Sequence, residues 1–146
     1  MKPRLRPSPS PRQSPKGPKA GWRQALGGRS HREGHAAEWI AAVWLMLKGY
    51  QILAFRLKGR GGEIDILARR GRTLAVVEVK RRRTIEAAIL SLGLEQHARL
   101  AAAGQALARS RPSLQRLNLR IDMVALAPGR FPRHLRGVTT TGTDIA

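Results

Sequence analysis

Two short runs hold the residues whose types and spacing could do chemistry. They are Gly62-Glu63-Ile64-Asp65 and, after a basic turn, Val77-Glu78-Val79-Lys80. Together they concentrate three of only nine acidic residues in a chain with 28 Lys and Arg. Side chains alternate faces along a strand. Glu63, Asp65 and Leu67 therefore share one face of the first run, with Ile64, Ile66 and Ala68 opposite. In the second run the same rule puts Glu78 and Lys80 together, with Val77 and Val79 opposite. The link between them, Arg69-Arg70-Gly71-Arg72-Thr73, is short and polar and contains a Gly, as a hairpin needs. If the strands pair, Asp65 and Glu78 face one space with Lys80 beside them. Hard cations such as Mg²⁺ take oxygen ligands, typically one or two carboxylates plus water and substrate phosphate. A nearby ammonium group can steady an attacking water or offset charge building on a phosphate. The chemistry suggested is metal-assisted attack on a phosphodiester, with Asp65 and Glu78 as ligands and Lys80 as the cation. Glu63 lies about 7 Å further along the strand and would stand behind them. The plainer alternative is a cross-strand ion pair on a solvated face.

The elements that must position these residues are legible in the periodicity. Glu33 to Lys48 reads as a helix, with Ile40, Val43, Trp44 and Leu47 in one stripe and Gly49 as its stop. Glu33 suits the helix N-terminus, where the macrodipole favours an acid. Glu38 lies with Ala41, Ala42 and Leu45. Small residues there would let the helix approach a sheet closely and let Glu38 reach over its edge; a rim salt bridge to His35 or Arg32 is the alternative. Tyr50 to Phe55 is strand-like. Arg56 to Gly62 follows as a cationic, Gly-rich turn, in which Arg56, Lys58 and Arg60 either hold a phosphate backbone or are simply solvated. Residues 63–68 and 74–80 are strands, and Arg81-Arg82-Arg83 closes the second beside the acidic residues. Residues 85–109 form a long Ala- and Leu-rich helix with a break near Gly93. Leu100, Ala103 and Leu107 face the core, and Gln96, His97 and Arg99 lie toward the polar side. Asn118 to Leu126 reads as a final strand whose Asp122 pairs with Arg120 or accepts a turn-side hydrogen bond. Beyond Pro128 the chain is polar and punctuated by Gly and Pro, and is expected to be mobile.

Composition bounds the function. A chain of 146 residues suits one domain with a modest core. Cys is absent, which excludes disulfides, thiolate metal sites and a Cys nucleophile. No apolar run is long enough to span a membrane, and the basic N-terminus lacks the apolar stretch of a secretory signal. A cytoplasmic location is expected. The net charge of +19 is shared between residues 1–32, which contribute +9, and the remainder, which contributes +10. A polyanion is the natural partner, because neutralising phosphates releases condensed counterions. Residues 1–30 carry six of the nine prolines. Such a segment buries too little apolar surface to offset its ordering entropy. It is expected to be disordered, as a solubilising extension or as a non-specific nucleic-acid arm on which Trp22 could stack. P-loop, dinucleotide-binding and nucleophile-elbow motifs are missing, and the four His have no metal-ligand spacing.

The wider pattern resembles the YraN-like family of small bacterial proteins, predicted endonucleases of the restriction-endonuclease-like fold. The resemblance rests on Gly34-His35-Ala36-Ala37-Glu38, Leu47-Lys48-Gly49-Tyr50-Gln51-Ile52-Leu53, the two acidic runs with Arg81, and Arg120-Ile121-Asp122-Met123-Val124. It spans roughly residues 33 to 127, nearly all the part that looks foldable. It implies an α/β domain with a mixed sheet flanked by helices. It also implies a site in which a helix Glu, an Asp and Glu-x-Lys come together; these match Glu38, Asp65, Glu78 and Lys80. Mg²⁺ or Mn²⁺ would be held by Asp65, Glu78 and the carbonyl of Val79, and Gln96 would approach from the later helix. The chain departs from the family pattern at Phe55-Arg56, at Thr84-Ile85-Glu86-Ala87-Ala88 and at Gln96, and none of these removes a proposed metal ligand.

The organisation expected is a disordered Pro/Arg-rich tail over residues 1–30, an endonuclease-like domain over 31–128 and a flexible tail over 129–146. The function expected is metal-dependent hydrolysis of nucleic-acid phosphodiesters, DNA ahead of RNA, with no membrane involved and homodimerisation left open. The phosphate contacts would come from Arg56, Lys58, Arg60, Arg81, Arg82 and Arg83. The rival is a catalytically silent nucleic-acid-binding module.

Overall fold

A computed structural model describes residues 35–59 and 62–138. Helix α1 is seen over residues 35–47. It is followed by β1 (Gln51–Gly59), β2 (Gly62–Arg70), β3 (Thr73–Arg81), α2 (Ile85–Leu90), α3 (Leu94–Ser110), β4 (Asn118–Leu126) and β5 (Arg133–Leu135). The strands form one sheet in the order β1-β2-β3-β4-β5. β3 and β4 run parallel and the other neighbours antiparallel. A parallel pair needs a crossover, usually helical, and α2 and α3 supply it. This is the α/β architecture of a mixed sheet flanked by helices that the motif order implied.

The break in the long helix falls where the sequence puts it. Thr84 caps α2, its Oγ1 accepting a hydrogen bond from the Ala87 N–H at 3.1 Å, and α3 restarts after Gly93. Gly49 ends α1 in a left-handed conformation at φ 90°. The N–H of Tyr50 then bonds the Leu45 carbonyl, and that of Gly49 the Met46 carbonyl, each at 3.0 Å. This pair of bonds satisfies carbonyls that the helix end would otherwise leave without donors.

The helices divide the core between the two faces of the sheet. On one face Ala37, Ala41, Ala42 and Leu45 of α1 pack with Tyr50, Ile66, Ala68, Ala75, Val77, Val124 and Leu126. On the other, Leu100 and Ala103 of α3 meet Ile64, Leu67, Leu74, Val76 and Ile121, while Ala88 of α2 meets Met123 and Ala125. Gly104 lets α3 sit close, since a Cβ there would lie 2.8 Å from Val76.

Three expectations are corrected. The stripe of Ile40, Val43 and Leu47 faces outward, with Leu47 77% exposed. The alanine face is the one that docks, because small side chains allow the closer approach. Strand β1 continues through Arg56 and Lys58 to Gly59, so these residues lie on a strand rather than in a turn. Finally, the chain after Pro128 is ordered at least as far as β5, whose Leu135 pairs with Met123. Ladder hydrogen bonds to β4 and contact of Leu135 and Val138 with the cluster beneath α2 hold it. The expected tail at residues 1–30, the last part (139–146) of the tail expected over 129–146, and Arg60 lie outside the described residues.

Candidate active site

Strand alternation breaks down where the acids sit. Ile66 belongs to the cluster under α1, yet Ile64 packs in the cluster under α3. They were expected to share a face. The reason is local. Pairing of β2 with β3 stops at Ile66–Val77, and on the neighbouring strand Arg56 has φ 47°, a left-handed value unusual for a residue with a Cβ. The sheet turns over at this point. Asp65, at the hinge, replaces the lost ladder bond: its Oδ2 accepts the Val79 N–H at 2.9 Å.

Strand β3 stays regular, so Glu78 projects toward α3. Its Oε1 accepts a hydrogen bond from Gln96 Nε2 at 2.7 Å and lies 3.2 Å from Lys80 Nζ. Asp65 and Glu78 then line one open cavity of about 270 Å³ with Gly62, Glu63, Gln96, Arg99 and Leu100. Glu38 comes over from α1 and is held by Arg56, Nη1 to Oε2 at 2.5 Å.

The electrostatics of the cavity are unusual. Burial, then the charge of Glu78, push the Asp65 carboxyl up to about 7, against the opposing pull of the Val79 N–H and the Lys80 ammonium. Burial also raises Glu38; Arg56 opposes that shift and the Asp65 charge adds to it. Asp65 thus faces a second carboxylate with less cationic compensation than it needs in the ionised state. The donor set is all oxygen, which suits a hard divalent cation and not a soft one. Among the described residues no group of three or more His, Cys, Asp or Glu stands in metal-holding geometry. An ion here would therefore rest on two carboxylates, with the other positions left to backbone, water or substrate oxygen. That is common for Mg²⁺.

Of the residues predicted for the site, Asp65, Glu78, Lys80 and Gln96 are joined by contact or by the shared cavity, and Glu63 lines the same space. Glu38 is within electrostatic reach of Asp65. Arg56 is committed to Glu38 rather than free for phosphate. Lys58 is exposed at the mouth of a separate cavity with Leu57 and Arg111. Arg81, the last residue of β3, and Arg82 and Arg83 just after it are exposed. Arg99, placed by the sequence only on the polar side of the helix, lines the cavity; its position one helical turn after Gln96 is the signal for a site role. The pairing of Arg56 with Glu38 had no local signal, since the two are 18 residues apart.

A second polar cluster lies on the opposite face of the sheet. Asp122, fully buried, accepts hydrogen bonds from Arg120 Nε and Nη2, His134 Nε2 and the Gly137 N–H, at 2.7–3.0 Å. Arg120 also donates to the Tyr50 hydroxyl at 2.6 Å, and His134 Nδ1 is 3.1 Å from Lys48 Nζ. The pairing of Asp122 with Arg120 was expected; His134, Gly137 and Tyr50 were not. His97 is structural, its Nε2 2.7 Å from the Val138 carbonyl.

Residues 37–126 match the uncharacterised protein family UPF0102. The chain is 53% identical over 116 residues to a UPF0102 protein of Caulobacter vibrioides (strain NA1000 / CB15N), covering 80% of this chain and 93% of that one. It is 50% identical over 123 residues to a UPF0102 protein of Caulobacter sp. (strain K31), covering 84% and 88%. It is 44% identical over 110 residues to one of Chelativorans sp. (strain BNC1), covering 75% and 89%.

Proposed function

The chain belongs to the UPF0102 family, which is the YraN-like family its motifs resemble, and on that premise we propose that it is a metal-dependent nuclease acting on nucleic-acid phosphodiesters, DNA ahead of RNA. The observation that carries this reading is the opposition of Asp65 and Glu78 in one cavity of a strongly basic protein, with Lys80 against Glu78. A protein that only bound phosphate would gain nothing from two carboxylates turned toward it.

Asp65, Glu78 and the Val79 carbonyl would hold Mg²⁺ or Mn²⁺, which when bound supplies Lewis-acid polarisation of a phosphate oxygen and a more acidic water. The chain's own residues do the rest. Gln96 fixes one Glu78 oxygen, and the Val79 N–H fixes one Asp65 oxygen, so the carboxylates are oriented before anything binds. Lys80 places an ammonium where it can hold the attacking water or offset charge on the phosphate. Glu38, held by Arg56, is within electrostatic reach of Asp65 and would assist from there. The exposed Arg81, Arg82 and Arg83 draw the phosphate backbone to this end of the sheet.

A silent nucleic-acid-binding module is favoured by one feature: Glu78 already has both Gln96 and Lys80 as partners. Incubation of supercoiled plasmid and branched DNA with Mg²⁺ or Mn²⁺ separates the two. Cutting by wild type that disappears in both Asp65→Asn and Lys80→Ala is the expected result. Salt-sensitive binding without cutting by any variant, on DNA and then on RNA, supports the silent module; for a pure binder Asp65→Asn should bind tighter.

A further inference from the structure

The loop between β4 and β5 carries a feature that the nuclease reading does not use. Ala127-Pro128-Gly129-Arg130 forms a tight turn: Gly129 has φ 71°, and the Arg130 N–H bonds the Ala127 carbonyl at 3.3 Å. Pro at the second position and a left-handed Gly at the third are what a type II turn requires. The turn presents Phe131, which Pro132 then ties to the start of β5. Phe131 is 84% exposed, and its ring leans on Trp44 of α1 at 6.1 Å between centroids. A lone exposed Phe is ordinary. This one follows a hydrogen-bonded turn and lines a cavity of about 520 Å³ whose wall also carries Arg83, Arg130 and Arg133, against a single acid, Glu86.

The cavity is close to the acidic site. Lys80 is in register with Ala125 across β3 and β4, and Ala125 with Arg133 across β4 and β5. In-register residues put their side chains on the same face of a sheet. Lys80 and Arg133 are therefore two strand spacings apart on one face, about 10 Å. That is the length of one to two nucleotides of an extended strand. The loop follows the residues 37–126 that match the family.

We propose that this cavity is a stacking subsite for an unpaired base, with Phe131 against the base and Arg83, Arg130 and Arg133 on its flanking phosphates. An aromatic ring beside a cationic groove is how single strands are bound, because every base offers a π-face while a duplex keeps its bases stacked inside. The proposal rests on the nucleic-acid reading of the Asp65–Glu78 site and deepens it. The substrate would be single-stranded nucleic acid, or a duplex with unpaired nucleotides one to two positions from the reacting phosphate.

The test is binding without metal, on the full chain in EDTA, of a single-stranded oligonucleotide containing 2-aminopurine and of the matching duplex. Moving the probe base from its neighbours onto Phe131 changes its fluorescence. Phe131→Ala should lose that change and weaken single-strand affinity by about 5- to 150-fold with duplex affinity unchanged, the range that loss of one stacked base produces. Phe131→Trp should restore both. Arg130→Ala with Arg133→Ala should lower the salt dependence of single-strand binding by about one unit per arginine. The proposal is overturned if Phe131→Ala binds single strands as wild type does, or weakens single strand and duplex equally, or if no nucleic acid binds at all. Because no cleavage is read, a protein that binds in this way but never cuts would sink the nuclease and leave the subsite. One that cuts through Asp65 but ignores Phe131 would do the reverse.

Discussion

Asp65 and Asp122 are both acids inside strands of the same sheet, on opposite faces, and their surroundings pull them in opposite directions. Asp122 is the more deeply buried, yet hydrogen bonds from His134, Arg120 and the Gly137 N–H outweigh burial and hold its carboxyl below the usual carboxylate range. Asp65 has one backbone N–H and only a small opposing pull from Lys80, and faces another carboxylate; it is pushed up to about 7. A buried acid supplied with every donor it needs is structural. One left short of positive charge, in a cavity open to solvent, is a place where a cation or a proton must come from outside. Perturbed acids in clefts mark functional sites for this reason.

The largest effect that could break the contrast is at the structural acid. Asp122→Ala leaves the Arg120 guanidinium, His134 and the Gly137 N–H without their acceptor, and should cost roughly 3–5 kcal/mol in urea unfolding. A loss near zero would show that the network does not hold β4 to β5 and the Tyr50 end of α1. Asp65→Asn should act the other way and stabilise the metal-free protein, by roughly 1–3 kcal/mol at pH 8. The sign follows from the native carboxyl being raised. Between about pH 4 and pH 7 the native state holds a proton that the unfolded state has released, so stability falls as pH rises through that window. The gain in the Asn variant should therefore vanish near pH 4, and wild type with Mg²⁺ at pH 8 should recover part of it. An Asn variant no more stable than wild type at pH 8 would mean that Asp65 carries no uncompensated charge.

Asp122 should show the opposite slope. Its stabilising contribution is complete above the unfolded pKa of about 4 and is lost as pH falls through the lower native value. The stability difference between wild type and Asp122→Asn should accordingly shrink on the acid side of pH 4, as read from urea midpoints. The smallest effect is at Lys80. Its charge opposes the rise in Asp65, so in Lys80→Ala the Asp65 carboxyl should titrate higher than in wild type by carboxyl-carbon NMR. An unchanged titration would place the ammonium elsewhere in solution.

Much of this is legible in the sequence. The order of elements follows from periodicity and punctuation: Gly49 stops α1 because its left-handed φ of 90° suits glycine best, Gly93 marks the restart at α3, and Glu78 and Lys80 meet because they are two apart on a regular strand. Other parts were out of reach for identifiable reasons. The stripe of Ile40, Val43 and Leu47 outweighs the alanines in hydrophobicity, but closeness of approach favours the small face. Arg133 to Leu135 is too short and polar to announce a strand, and becomes one only because β4 offers an open edge. Arg56 reads as a loop cation until Glu38 arrives from another element.

The sequence by itself determined the residue types at the site, their spacing along each strand and the excess of positive charge, since these depend only on local geometry and composition. Tertiary structure alone decided which acid is satisfied and which is not. That depends on what the chain brings from 12 or more positions away, His134 to Asp122 and Gln96 to Glu78, and on the turn of the sheet at Arg56 and Asp65. A carboxylate's charge state is fixed by its neighbours in space, and strand alternation constrains only its neighbours in sequence.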